Sequence, residues 1–194
     1  SGVDKAEAKG GLLVAMRPST GEILASVAVE RNPDGVTQQV SEHRSATWTF
    51  EPGSIIKPLT FSAVMDAGVA SIDSVRKVED EIHVHDSDFS DWFDHEEAEW
   101  SVSEILYRSS NVGTILWAQE IGASLLHNKL QKFGLGRKSE LNFPGEANGI
   151  LLPVEKWSGT SLPTIAIGQG VSVTPLQMLT AYATLANRGL KPAP

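Results

Sequence analysis

The nine residues Phe50-Glu51-Pro52-Gly53-Ser54-Ile55-Ile56-Lys57-Pro58 constrain this chain more than any other stretch. Pro52-Gly53 breaks the preceding segment. Ile56, Leu59, Ala63 and Ala67 then recur at spacings that keep one apolar stripe inward, so a helix starts here. Ser54 and Lys57 are three apart and share a face of that helix, which brings an amine toward a hydroxyl. An alcohol is a poor nucleophile at neutral pH, and a desolvated neighbouring amine can take its proton. Exposed N–H groups and the positive dipole end of the first turn suit a developing oxyanion. Pro58 removes the N–H that would bond the Ser54 carbonyl, so an irregular first turn is expected. The same pattern also fits Ser54 as a plain helix cap and Lys57 as a solvated side chain.

A second box separates these readings. Tyr107-Arg108-Ser109-Ser110-Asn111-Val112-Gly113 supplies S-x-N, and S-x-x-K, S-x-N and K-T-G are the boxes of penicillin-binding proteins and class A β-lactamases. Glu51-Pro52-Gly53-Ser54, Ser110-Asn111-Val112-Gly113, Phe143-Pro144-Gly145-Glu146, Ile167-Gly168-Gln169-Gly170 and Val173-Thr174-Pro175-Leu176-Gln177 follow in order. From about Gly11 to Gly189 the chain resembles class B penicillin-binding proteins, and most of all the cell-division type.

The resemblance implies a peptidoglycan D,D-transpeptidase. In that family a serine attacks a D-Ala-D-Ala carbonyl, D-alanine leaves, and an amine of a neighbouring stem peptide resolves the acyl-enzyme; β-lactams mimic the substrate. It assigns Ser54 as nucleophile, Lys57 as proton acceptor, Ser109 as a proton relay to the leaving amine and Asn111 as a partner of the substrate amide. The Ser54 N–H would form half of an oxyanion hole. No cofactor or metal is expected. Peptidoglycan stem peptides, β-lactams and cell-division proteins are the implied partners, at the outer face of a bacterial membrane and with an N-terminal anchoring helix beyond this sequence. A serine β-lactamase or β-lactam sensor, and a non-catalytic peptidoglycan-binding or division scaffold, are the rival readings.

The third box is not found. Lys9-Gly10-Gly11 precedes the opening strand and Lys132-Phe133-Gly134 closes a helix. Residues 1–194 are therefore read as one transpeptidase domain cut before its K-T-G strand, with the rest supplied in the same or a second chain.

Hydrophobic residues at 41% and charged residues at 21% are ordinary for a globular protein. No apolar run is long enough to span a membrane. The chain has no cysteine, which excludes disulfides and thiolate zinc sites. A net charge of −8 argues against nucleic acid as a partner.

Gly11 to Met16 and Glu22 to Ala28 read as a hairpin turning at Arg17 to Gly21, followed by a polar loop from Arg31 to Arg44. Helical patterns recur at Ser101 to Tyr107, Val112 to Gly122, Ala123 to Phe133 and Pro175 to Ala186, the last with Thr174 as N-cap. Two strands followed mostly by helix predict an α+β fold with helices on an antiparallel sheet, and the resemblance implies that it is of the penicillin-binding-protein and serine β-lactamase type.

Glu79 to Glu99 carries ten acidic residues and neither Lys nor Arg, and reads as a solvated, mobile segment. His83 and His85 would share a strand face, and with Asp86 or His95 they have the donor types of a zinc site. Trp92 and Phe93 read as inward anchors, with a cover over substrate as the alternative. Gly168 and Gly170 read as answers to backbone constraints.

Overall fold

A computed structural model describes residues 2–139, 141 and 143–194. From the N-terminus come α1 (Gly2–Lys5), β1 (Gly10–Met16), β2 (Ile23–Arg31), β3 (Thr37–Val40) and α2 (Arg44–Thr47). A 3₁₀ turn at Gly53–Ile56 runs into α3 (Lys57–Asp66). Then follow β4 (Val75–Val78), β5 (Glu81–Val84), β6 (Ser87–Ser90), β7 (Ala98–Ser101), α4 (Val102–Arg108) and α5 (Asn111–Phe133). A short 3₁₀ turn at Val154–Lys156, α6 (Ser161–Ala166) and α7 (Pro175–Ala186) complete the order. The expected α+β class is what the chain adopts. It divides into two compact units, each assembled from segments far apart in sequence.

One unit holds residues up to Phe50, Phe133–Gly149 and the segment from Val173 onward. Its sheet is antiparallel in the order β1-β2-β3. The expected hairpin pairs Gly10 with Glu30 through Ala15 with Ala25, then shifts register so that Met16 meets Ile23. β3 lies inside the stretch expected to be loop. Thr-Gln-Gln-Val has no apolar alternation to announce a strand; the turn makes it one. Val36 N–H donates to Asn32 Oδ1 at 2.8 Å and Asn32 N–H to the Val36 carbonyl at 2.9 Å, folding the chain back onto β2.

Met16, Ala46, Leu176 and Ala183 form a core cluster joined by Ile23, Phe143 and Leu179. α7 begins as its sequence requires, with a reciprocal Thr174–Gln177 capping box and Pro175 in the first turn. Buried Gln177 also donates to the Arg137 and Asn148 carbonyls at 2.7 and 2.8 Å, fixing the loop between them.

Leu13 and Val27 are cross-strand partners, 60% and 44% exposed, and β1 has no second neighbour among the described residues. An apolar pair beside an unpaired edge invites pairing with another chain. The 194-residue chain is expected to self-associate in sedimentation velocity at micromolar concentration, and Leu13→Lys to reduce it. A strictly monomeric parent would contradict this.

The other unit holds Glu51–Lys132 and Ile150–Ser172. Buried Ile56, Leu59, Phe61 and Val64 hold α3 and its preceding turn; buried Val102 and Ile105 hold α4; Val112, Ile115 and Ala118 hold α5. Gly113 is required where α5 meets Ile105, whose side-chain carbons lie 2.8–2.9 Å from where a Cβ would sit. α5 covers both helical stretches expected from the sequence, which join at Gly122 with φ 73°.

The acidic span is not one solvated run. β5 pairs with β6, and β4 with β7. Alternation along these short strands sends the acids outward and Ile82, Phe89 and Trp100 the other way, which answers like-charge repulsion without disorder. β5 stops at Val84, so His85, at φ 60°, does not share a strand face with His83.

Candidate active site

Both boxes and their immediate supports lie in the second unit. Pro58 explains the shape of the first. Without an N–H it cannot bond the Ser54 carbonyl, and the Lys57 N–H takes that acceptor instead, closing a 3₁₀ turn over Gly53–Ile56. The expected irregular turn is present. Three residues per turn place positions 54 and 57 over one another on one face. Ser54 is exposed, while Lys57 is 1% exposed.

The turn is fixed from behind. Gly53 N–H donates to the Gly168 carbonyl at 2.9 Å, and Gly170 N–H to Glu51 Oε1 at 2.9 Å. At Gly168, φ is +86° and an added Cβ would lie 2.1 Å from the Gly53 carbonyl oxygen. These glycines answer backbone constraints, as the sequence suggested. Gly168→Ala is expected to cost roughly 1–3 kcal/mol in a thermal melt and to displace the Ser54 turn. Unchanged stability would mean the turn is not held there.

The second box closes over Lys57. α4 opens with a Ser101–Glu104 capping box and ends at Ser109 in the left-handed region, φ 56° and ψ 37°. That conformation is uncommon for a residue with a Cβ, and it points the Ser109 carbonyl and hydroxyl at one amine. Lys57 Nζ lies 2.5 Å from Ser109 O, 3.2 Å from Ser109 Oγ and 2.7 Å from Asn111 Oδ1. Asn111 Nδ2 donates to the Ser90 carbonyl at 3.0 Å, which fixes the amide so that its oxygen faces the lysine.

Burial pushes the Lys57 amine down from 10.5 to about 8, against the opposing pull of the Asp91 carboxylate. Three acceptors match the three donors of an ammonium. Of these only the Ser109 hydroxyl can reverse its role and donate once the amine has lost a proton. The trio can therefore hold a proton on nitrogen or pass it through Ser109. Ser54 Oγ is not among the partners of the amine, although both sit on one turn.

The structure thus joins Lys57, Ser109 and Asn111 directly, and Ser54 shares the turn that ends at Lys57. Ser110, next to the box, is fully buried, and its Oγ accepts from Gly113 N–H at 2.9 Å as a helix cap. The sequence reading missed Asp91. One acid among ten carried no separate signal, yet its side chain is 0% exposed and accepts from Asn111 and Val112 N–H.

Trp92 corrects an expectation. It is 75% exposed rather than anchored inward, held by its indole N–H to the Arg108 carbonyl at 2.9 Å. Phe93 does pack, against Trp92, His95 and Trp100. His83 pairs with Asp88 at 2.6 Å and His95 with Asp91 at 3.2 Å. The described residues contain no grouping of three or more His, Cys, Asp or Glu able to hold a metal ion.

Residues 11–194 match the family model of the penicillin binding protein transpeptidase domain. The chain is 34% identical to the penicillin-binding protein PbpB of Mycolicibacterium smegmatis, over 98% of this chain and 30% of that protein. It is 32% identical to the peptidoglycan D,D-transpeptidase FtsI of Escherichia coli, over 95% of this chain and 32% of that protein. The crystal structure of penicillin-binding protein 3 from Mycobacterium tuberculosis complexed with aztreonam superposes with a TM-score of 0.90 at 30% identity, covering 98% of this chain and 44% of that one. The chain thus spans 30% and 32% of the length of these two curated relatives.

Proposed function

Because this chain belongs to the penicillin-binding protein transpeptidase family, in its class B branch, we propose that it carries the acylating half of a peptidoglycan D,D-transpeptidase site. The carrying observation is the buried Lys57 amine, lowered to about 8, held by Ser109 and Asn111 one turn after exposed Ser54. Such an amine is partly neutral near physiological pH and can accept a proton while the Ser54 oxygen attacks a carbonyl.

In this reading the Ser54 Oγ–carbonyl bond forms as its proton passes to the lysine side. Ser109 Oγ, within reach of the same amine, returns a proton to the departing D-alanine nitrogen as the C–N bond breaks. Asn111 binds the substrate amide. The Ser54 N–H, near the start of the 3₁₀ turn where N–H groups lack intrahelical partners, faces the developing oxyanion. The other oxyanion donor belongs to a K-T-G strand that the 194 residues do not include, so we read them as the front part of the domain. An amine of a neighbouring stem peptide then takes the acyl group. The reaction needs no cofactor.

β-Lactams are the ligands of the penicillin-binding protein 3 structures with aztreonam and with ampicillin, and the same chemistry would acylate this chain. Among the described residues no helix is long and apolar enough to cross a membrane. A peptidoglycan substrate calls for an extracytoplasmic site and, by the division-type likeness, for division proteins as partners.

Intact mass after incubation with a β-lactam tests the reading. A single adduct, mapped to Ser54 and persisting for many minutes, is expected when the segment with the K-T-G strand is supplied, and slow labelling of the 194 residues alone. Rapid loss of the adduct to water would make the chain a β-lactamase, and mapping to Ser109 or Ser110 would overturn the assignment.

A further inference from the structure

We propose that Asp91 is a positioning residue for acylation: its carboxylate orients Asn111 and holds the Lys57 amine among its oxygen partners. This rests on the reading of Lys57 as the base that serves Ser54.

The Asp91 side chain is 0% exposed and engages both of its oxygens. Oδ1 accepts from Asn111 N–H at 2.5 Å and Val112 N–H at 3.0 Å. Oδ2 lies 3.2 Å from His95 Nε2, and His95 Nδ1 lies 2.8 Å from the Glu96 carbonyl. Both ring nitrogens therefore face oxygen acceptors, and the ring is clasped between Trp100 and Phe93, with centroids at 4.5 and 5.1 Å. A buried carboxylate persists only where it is paired and hydrogen-bonded. Here the partners are the start of α5 and the His95 ring.

Ser90 and Asp91 grip Asn111 at both ends. The carbonyl of one takes the side-chain amide and the carboxylate of the other takes the backbone N–H, leaving Oδ1 for Lys57. Ser110 Oγ takes the Gly113 N–H and Asp91 the Asn111 and Val112 N–H groups, so Asp91 completes the cap of α5 and at the same time fixes the residue that meets the lysine. On the lysine side, the amine meets Ser109 and Asn111 from the turn between α4 and α5. Among the described residues the carboxylate acting on it is Asp91, from the segment between β6 and β7, with His95 beyond.

Asp91→Asn separates charge from capping. Asparagine keeps an oxygen for the two N–H groups and caps helices about as well as aspartate, so a merely structural residue would tolerate it. Two readouts in the full chain decide. The first is the Lys57 titration, followed by NMR of 13Cε-labelled lysine, with Lys57→Met identifying the signal. The second is the pH profile of the acylation rate constant at saturating β-lactam.

With Asp91→Asn the Lys57 midpoint is expected to move to lower pH, because the opposing negative charge is gone. The acylation plateau is expected to fall about tenfold, because a neutral amide oxygen holds the Asn111 N–H less firmly than a carboxylate does and leaves Asn111 less well placed. A Lys57 midpoint unchanged or raised in Asp91→Asn, or an acylation plateau within about twofold of the parent, would overturn the proposal. A parent protein that forms no adduct on Ser54 would instead remove the functional reading, and the NMR titration would still decide the role of Asp91.

Discussion

Ser54→Ala is expected to abolish covalent β-lactam labelling, lowering its rate by roughly 10⁶-fold, the scale on which removing a serine nucleophile acts. The change deletes one exposed oxygen from the 3₁₀ turn and leaves the Lys57 N–H bond to the residue-54 carbonyl intact, so the fold should be unaffected. Two hydroxyls of the second box could compete for the acyl group. Ser110 Oγ is buried and committed to Gly113 N–H, and Ser109 Oγ already faces the lysine. Residual labelling of Ser54→Ala at a few per cent of the parental rate, seen by intact mass, would mean that one of these serines is the nucleophile. Ser109→Ala is the control: it should slow labelling and leave the adduct on Ser54.

Which parts of this site could be read beforehand follows from the range of the interactions. The Ser54 turn was legible because its cause is local: Pro58 removes an N–H, and the neighbouring residues must accommodate it. α7 was legible for the same reason, with its cap, proline and capping-box partner within four residues. The two boxes identified the family, and thereby Ser109 and Asn111, without showing that Ser109 would turn left-handed to reach Lys57. β3 and Asp91 were not legible. β3 is a strand only because the Asn32 turn returns it to β2. Asp91 stands apart from its acidic neighbours only because α5, twenty residues on in sequence, places two N–H groups over it. Trp92 was misread because a lone aromatic in a polar stretch usually packs inward, whereas here a single bond to the Arg108 carbonyl holds it facing solvent.

Lys57→Met is expected to lower β-lactam acylation by 10²–10⁴-fold, the usual contribution of a positioned acid or base, while the fold survives. Methionine fills comparable volume, so no large cavity opens. Three hydrogen bonds to Ser109 and Asn111 are lost, but so is the cost of burying an amine whose charged form is penalised by desolvation. These oppose one another, and the melting temperature should move by no more than about 4 °C, the shift that about 1 kcal/mol produces in a chain of this size.

The pH dependence gives a sharper test. With an amine titrating near 8, parental acylation should rise with pH up to about that value and then level, whereas Lys57→Met should lack this limb. Stability has its own sign. The folded amine loses its proton near 8 and the unfolded one near 10.5, so between these values the unfolded state binds more protons and parental stability rises with pH. The methionine variant has no such rise. If Lys57→Met acylated within about threefold of the parent, with the same pH limb, the proton acceptor for Ser54 would have to be another group and the Lys57 cluster would be structural.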